Sequence, residues 1–288
     1  MLDLEPGAFG IQGRLTLKLE LFQHTGSFKP RGAFNRMLTV EVPDAGVIAA
    51  SGGNFGLAVA YAARELGHRA EIFVPETSPP VKARRIAERG AEVRLVPGYY
   101  GEALEASQGR AAETGALVMH AFDQPEVVAG AGTIGAELSE QVPDADTVLV
   151  AIGGGGLIGG IAAWYEGRTR VVGVEPDVCP TMSEALRAGH PIRVEVGGLA
   201  ADSLGPRQAG EIALALASAY VEHVLLVTDE SIADAQRRLW EELRIVAEPG
   251  GAAALAALLT RRYRPDPDER VVVLVCGGNT DPGSLWQD

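Results

Sequence analysis

Lysine is scarce in this 288-residue chain: only Lys18, Lys29 and Lys82 occur, against twenty-two arginines. Surface cations are therefore mostly arginine, whose guanidinium cannot form a Schiff base, whereas a lysine amine can. Cysteine is just as sparse. Cys179 and Cys276 fit neither a disulfide framework nor zinc-ligand spacing, which implies a reducing compartment. No basic run exceeds three residues, and the net charge of −13 excludes a nucleic-acid backbone or other polyanion as partner. The longest apolar run, residues 252–259, is too short to span a bilayer. The opening Met1-Leu-Asp-Leu-Glu-Pro lacks the basic start and apolar stretch of a signal peptide, so a cytoplasmic protein is expected. No internal repeat or low-complexity tract is present.

What remains is an ordinary globular composition, 47% hydrophobic and 22% charged, long enough for one large or two medium domains. Short β-branched runs alternate with amphipathic segments. Strands are expected near 15–19, 46–50, 70–74, 92–96, 117–119, 147–152, 170–174, 223–227 and 271–276. Helices fit over 55–66, 80–89, 100–113, 125–141, 157–166, 207–220, 229–244 and 250–262, while 190–203 reads as a long connection. Such alternation predicts an α/β protein with parallel sheets covered on both faces, and nine strands predict two lobes.

In open α/β sheets ligands bind beyond the carboxyl ends of strands, where this sequence places its glycines. Thr25-Gly-Ser-Phe-Lys29-Pro-Arg offers a turn, Ser27 as N-cap and a proline tolerated in a first helical turn, so Lys29 stands at a helix start. Ser51-Gly52-Gly53-Asn54 follows one strand; its backbone amides suit a carboxylate, although a tight strand-to-helix turn would use the same residues. Gly153-Gly154-Gly155-Gly156 leaves bare amides at a helix start, which suits a phosphate. It is not a P-loop, because no Lys-Ser/Thr follows, nor a dinucleotide fingerprint, because the glycines are consecutive. Cys276-Gly-Gly-Asn279 ends the last strand, and Glu248-Pro-Gly-Gly251 opens the last long helix. The five histidines, His120 among them, are scattered and read as surface or satisfied-core residues.

Taken in order, these segments, with Lys18-Leu-Glu20, Ala129-Gly-Ala-Gly-Thr-Ile134 and Gly173-Val-Glu-Pro176, carry a wider pattern. The chain resembles the fold-type II pyridoxal-phosphate enzymes, in particular the threonine/serine dehydratase and serine racemase family. The resemblance implies a two-lobed tryptophan synthase β-like fold, with residues 1–45 and 123–288 as the large cofactor-binding lobe and 46–122 as a small mobile lobe. It implies that Lys29 is joined to the cofactor as a Schiff base and that Phe28 lies against its ring. Asn54 would bond the ring hydroxyl. Gly153, Gly154, Gly155, Gly156 and Leu157 would cradle the phosphate. Cys276 would face the pyridine nitrogen, and Ser51, Gly52, Gly53 and Asn54 would hold the substrate carboxylate.

The activity so implied is dehydration of L-threonine or L-serine to a 2-oxo acid and ammonia, in a homodimer. Two alternatives stay open: a β-replacement synthase and a non-catalytic phosphate-ligand-binding protein. Four departures from the family pattern qualify the expectation. Gly52 stands where racemases place a second serine, so racemisation should be weak or absent. Phe55 replaces a common histidine. Family members that hold a divalent cation use a Glu, a backbone carbonyl and an aspartate; here these fall on Glu175, Cys179 and the uncharged Thr181, which weakens such a site. A helix and a Thr-Pro-Leu segment usual in relatives do not precede the Lys-Leu-Glu strand, and no regulatory domain is expected after Asp288.

Overall fold

The structure, a computed structural model, describes residues 1–286. The chain opens with β1 (Leu2–Asp3), β2 (Arg14–Leu19), α1 (Lys29–Thr39), β3 (Val47–Ala50), α2 (Asn54–Leu66), β4 (Ala70–Pro75) and α3 (Pro80–Glu88). There follow β5 (Glu92–Val96), α4 (Tyr100–Thr114), β6 (Leu117–Val118), α5 (Pro125–Gln141), β7 (Thr147–Ala151) and α6 (Gly156–Tyr165). The last third holds β8 (Arg170–Pro176), α7 (Thr181–Ala188), α8 (Ala201–Leu204), α9 (Glu211–Tyr220) and β9 (His223–Val227). It closes with α10 (Asp229–Leu243), α11 (Pro249–Leu259) and β10 (Arg270–Val275).

Two compact units result. The first comprises Met1–Phe28 and Ala131–Asp288. Its six-stranded sheet runs β1-β2-β10-β7-β8-β9, parallel except for the β1–β2 pair. The strands at its centre read as continuous apolar runs because both faces are covered: every residue of β7 is buried, as is β10 after Arg270. Helix α11 is almost wholly buried, and its alanines let it lie close against β10 and β7.

The second unit is Lys29–Gly130, built on a fully parallel four-stranded sheet ordered β5-β4-β3-β6. Strand alternation sorts its core onto two faces. Val47, Ala49, Ile72 and Val74 join α2 in one apolar cluster, whereas Ile48, Ala50 and Phe73 join Ala103 and Ala111 of α4 in another. Among the described residues, no helix is long and apolar enough to cross a membrane.

All nine expected strands form. Four features differ from expectation. The two-residue β1 is too short to leave a periodic signal. Helix α9 begins at Glu211 rather than 207, after the extended backbone of Gly210. Helices α7 and α8 form where no helix was expected, the latter at the end of the 190–203 connection. The compact units divide after Phe28 and Gly130, not after residues 45 and 122: α1 shares an apolar cluster with α2 through Ala33 and Met37.

Candidate active site

In the second unit, the expected residues gather at the carboxyl end of the parallel sheet. Lys29 is the first residue of α1, and its Nζ donates to the carbonyl of Ala121, 3.0 Å away, in the loop after β6. The same Nζ lies 5.8 Å from the centre of the Phe55 ring, next in sequence to Asn54 at the start of α2. Residues 51–54 form the turn from β3 into α2, with Gly53 N–H donating to Ser51 Oγ at 3.3 Å. The N-cap residue Gly53 offers no side-chain cap to α2, and the start of a helix is the arrangement that receives an anion.

In the first unit, Phe28 and Cys276 are drawn together by backbone pairing. Phe28 N–H donates to the Cys276 carbonyl at 3.0 Å, Ser27 bridges Gly277, and Gly278 N–H donates to the Gly26 carbonyl. Asn279 completes the clamp: its Nδ2 donates to the Thr25 carbonyl at 2.7 Å. Gly26, at φ 77°, leaves room for that amide, since a Cβ there would lie 2.7 Å from Asn279 Oδ1. This pairing explains why the two motifs occur together. Ser27 does not act as the expected N-cap. It is fully buried in the bridge, and its Oγ has no protein partner among the described residues.

The glycine run follows β7 and enters α6, again with no side-chain cap. Gly155 has φ 92°, and a Cβ there would meet Met182 Cε at 2.5 Å and Ala213 Cβ at 2.7 Å. Only glycine fits. The turn is braced from behind by Gly210 N–H, which donates to the Gly154 carbonyl. Gly154, Gly156 and Leu157 are buried, and Gly153 partly so. Cys276 directly follows β10, the parallel neighbour of β7, so thiol and glycine turn lie at the same carboxyl end of one sheet. Its Sγ lies 3.4 Å from the Gly250 carbonyl.

Glu175 and Cys179, the expected cation ligands, each accept hydrogen bonds within the first unit. Glu175 is fully buried at the end of β8, and its carboxylate caps α7 instead. Oε1 accepts from Met182 N–H at 2.6 Å, and Oε2 accepts from the N–H and hydroxyl of Ser183, both at 2.9 Å. The Cys179 carbonyl accepts from Thr181 N–H, and Thr181 Oγ1 donates to the Pro206 carbonyl. All three positions expected of a cation site are thus engaged with the protein. Burial pushes the Glu175 carboxyl up to about 7, against these hydrogen bonds, which favour the ionised form.

Residues 2–277 match the family described as pyridoxal-phosphate dependent enzyme. The chain belongs to that family. It is 38% identical over 274 residues to the L-threonine ammonia-lyase of Thermotoga maritima, covering 93% of this chain and 68% of that protein. Maize serine racemase has a similar structure, with TM-score 0.91 and 31% identity over 99% of this chain and 90% of its own. So does the processed threonine deaminase isoform 2 of Solanum lycopersicum, with TM-score 0.90 and 32% identity over 96% of this chain and 82% of its own.

The cradle passes a structural test for the family's cofactor: an uncapped ten-residue helix begins at a turn that no side chain can fill. The site also contains residues that the motifs did not flag. His120 and Ala121, with Phe122 and Asp123, form a strand-end loop like the others, but without glycine to mark it.

Proposed function

We propose that this chain is a pyridoxal-phosphate-dependent ammonia-lyase that converts L-threonine and L-serine to the 2-oxo acid and ammonia by α,β-elimination. The single observation that carries this reading is the placement of Lys29. It stands at a helix start at the carboxyl end of a parallel sheet, its amine held by the Ala121 carbonyl and close to the 51–54 turn. Similarity to threonine ammonia-lyase and threonine deaminase supports the substrate class.

On this reading the amides that begin α6, from Gly153 to Leu157, would hold the cofactor's phosphate, and Phe28 and Asn54 would hold its ring. The cofactor, when bound, would supply an electron sink for the substrate Cα. Lys29 supplies the attachment point and then, as a free amine, takes the Cα proton. The 51–54 turn binds the substrate carboxylate through its amides. Cys276 would present a thiol to the ring nitrogen, and a thiol would not hold that nitrogen protonated as a carboxylate would. This favours prompt loss of the β-hydroxyl over transamination. Gly52 offers no hydroxyl to protonate the opposite face, which favours elimination over racemisation.

The reading includes no cation-dependent step, since Glu175 and Thr181 are committed to α7 and Pro206. It includes a cytoplasmic setting, consistent with two buried cysteines that form no disulfide, and the homodimer that the resemblance implies.

The test combines attachment and turnover. Borohydride treatment of the B6-supplemented protein should fix a phosphopyridoxyl group on Lys29, read by peptide mass. L-threonine alone should then yield 2-oxobutyrate. A requirement for an added nucleophile would assign a replacement synthase instead, and absence of any adduct would leave a phosphate-binding protein.

A further inference from the structure

The loop that receives Lys29 is held in shape by an imidazole and an amide side chain. His120 Nδ1 accepts two backbone amides, Asp123 N–H at 3.0 Å and Phe122 N–H at 3.4 Å. Its ring packs edge-on against Phe122, with centroids 4.6 Å apart. Gln124 ties the loop from the other side: its Oε1 accepts from His120 N–H at 2.8 Å, and its Nε2 donates to the Val118 carbonyl at 3.0 Å. These bonds bend residues 120–124 into a turn whose Ala121 carbonyl faces Lys29 Nζ.

Helix α1 is fastened to the same stretch. Asn35 Nδ2 donates to the Glu126 carbonyl, Arg36 pairs with the Glu126 carboxylate, and Arg36 Nε donates to the Val118 carbonyl. The helix that carries the lysine and the turn that holds its amine are therefore one body within the second unit. A nitrogen that accepts two N–H groups must be unprotonated, so the imidazole works only as the neutral tautomer with its proton on Nε2.

We infer that His120 is a positioning residue for Lys29: its neutral Nδ1 shapes the 120–124 turn and so aims the Ala121 carbonyl at the lysine amine. The inference deepens the proposed function and rests on its assignment of Lys29. Protonation would turn Nδ1 into a donor facing two donors and would release the turn. Two charged groups face the ring. Burial lowers its pKa most, the Lys29 charge lowers it further, and Asp123 opposes both. The ring thus stays neutral to lower pH than an ordinary histidine.

The paucity of lysine makes a direct test clean. The full chain carrying lysine labelled with 13C at Cε, and stripped of cofactor, should give three resonances, one for each of Lys18, Lys29 and Lys82. The signal lost in Lys29→Arg is that of Lys29. Titrated over roughly pH 5 to 8, it should show an acid inflection below the ordinary histidine value, and Lys82 should not. His120→Asn, whose Oδ1 can accept the same amides without titrating, should keep the neutral-pH position of the Lys29 signal and lose that inflection. His120→Ala should move the signal toward that of Lys82 and slow borohydride-trapped attachment at Lys29 about tenfold.

Survival of the inflection in His120→Asn, or an unmoved Lys29 signal in both variants, would overturn the inference. Should His120→Ala fail to fold by circular dichroism, the titrations of wild type and His120→Asn decide alone. Failure of pyridoxal phosphate to attach in the wild type would sink the proposed function instead, and the cofactor-free titration separates the two.

Discussion

Ser78 Oγ lies 2.7 Å from the point that a Cβ on Gly52 would occupy, and Ser78 Cβ lies 3.3 Å from it. The space over the 51–54 turn that a side chain at 52 would need is filled from another segment, the turn between β4 and α3. Reinstating a serine at 52 is therefore not a simple restoration of a racemase-like hydroxyl.

Gly52→Ser should fold, because the Ser78 hydroxyl can rotate away from the added Cβ, but should raise the KM for L-serine several-fold without producing D-serine. The double variant Gly52→Ser/Ser78→Gly should recover part of that KM. Chiral chromatography of the products, with steady-state kinetics, checks both. D-serine from the single variant would show that Ser78 does not govern this space.

Gly155 is less forgiving. Its φ of 92° and the contacts with Met182 and Ala213 make Gly155→Ala strained as well as crowded. Loss of about 2 kcal/mol of stability is expected from overpacking. Cofactor affinity should fall at least tenfold on the order expected for a displaced anion turn. Chemical denaturation and equilibrium titration with pyridoxal phosphate read the two effects separately.

Glu175 sets a pH dependence whose sign is unusual for a carboxylate. Its folded value, about 7, lies above the ordinary 4.5, so the folded state holds the extra proton between those values. Stability should then be complete below about pH 4.5 and decline as pH rises to 7, a loss of about 3 kcal/mol by linkage. Glu175→Gln should flatten that slope in thermal melts taken across the range. Chelator or added magnesium should leave the melting temperature of the wild type unchanged; a clear upward shift with magnesium would contradict the engaged state of Glu175 and Thr181.

Cys276 offers a chemical test of the proposed ring contact. Cys276→Ser should retain turnover within a few-fold. Cys276→Asp should destabilise the chain by roughly 3 kcal/mol, because it forces a carboxylate into a buried place beside the Gly250 carbonyl. Any residual activity of that variant should include transamination, detected as the cofactor's amine form by its absorbance.

Much of this was legible in the sequence because burial leaves strong marks. Strands such as Val271-Val-Val-Leu-Val275 are apolar throughout because both faces are covered, and Gly26 and Gly155 sit where a left-handed backbone and close neighbours admit nothing larger. Other parts left no such mark. Helix α7 is eight residues long, and a carboxylate six positions before its first residue caps it, a relation set by tertiary structure and not by local spacing. His120 looked ordinary because its partners are backbone amides, which every residue possesses. The unit boundary after Phe28 was equally hidden, since alternation announces elements but not the cluster into which α1 packs.

Met182 touches two parts of the first unit at once. Its amide seals one oxygen of Glu175, while its terminal methyl backs onto the space above Gly155. The turn proposed to grip the phosphate is thus propped by the same residue that secures the start of the neighbouring helix. A shift in that helix would be transmitted through one methionine to the turn proposed to grip the phosphate, so damage at α7 should register as weakened B6 retention.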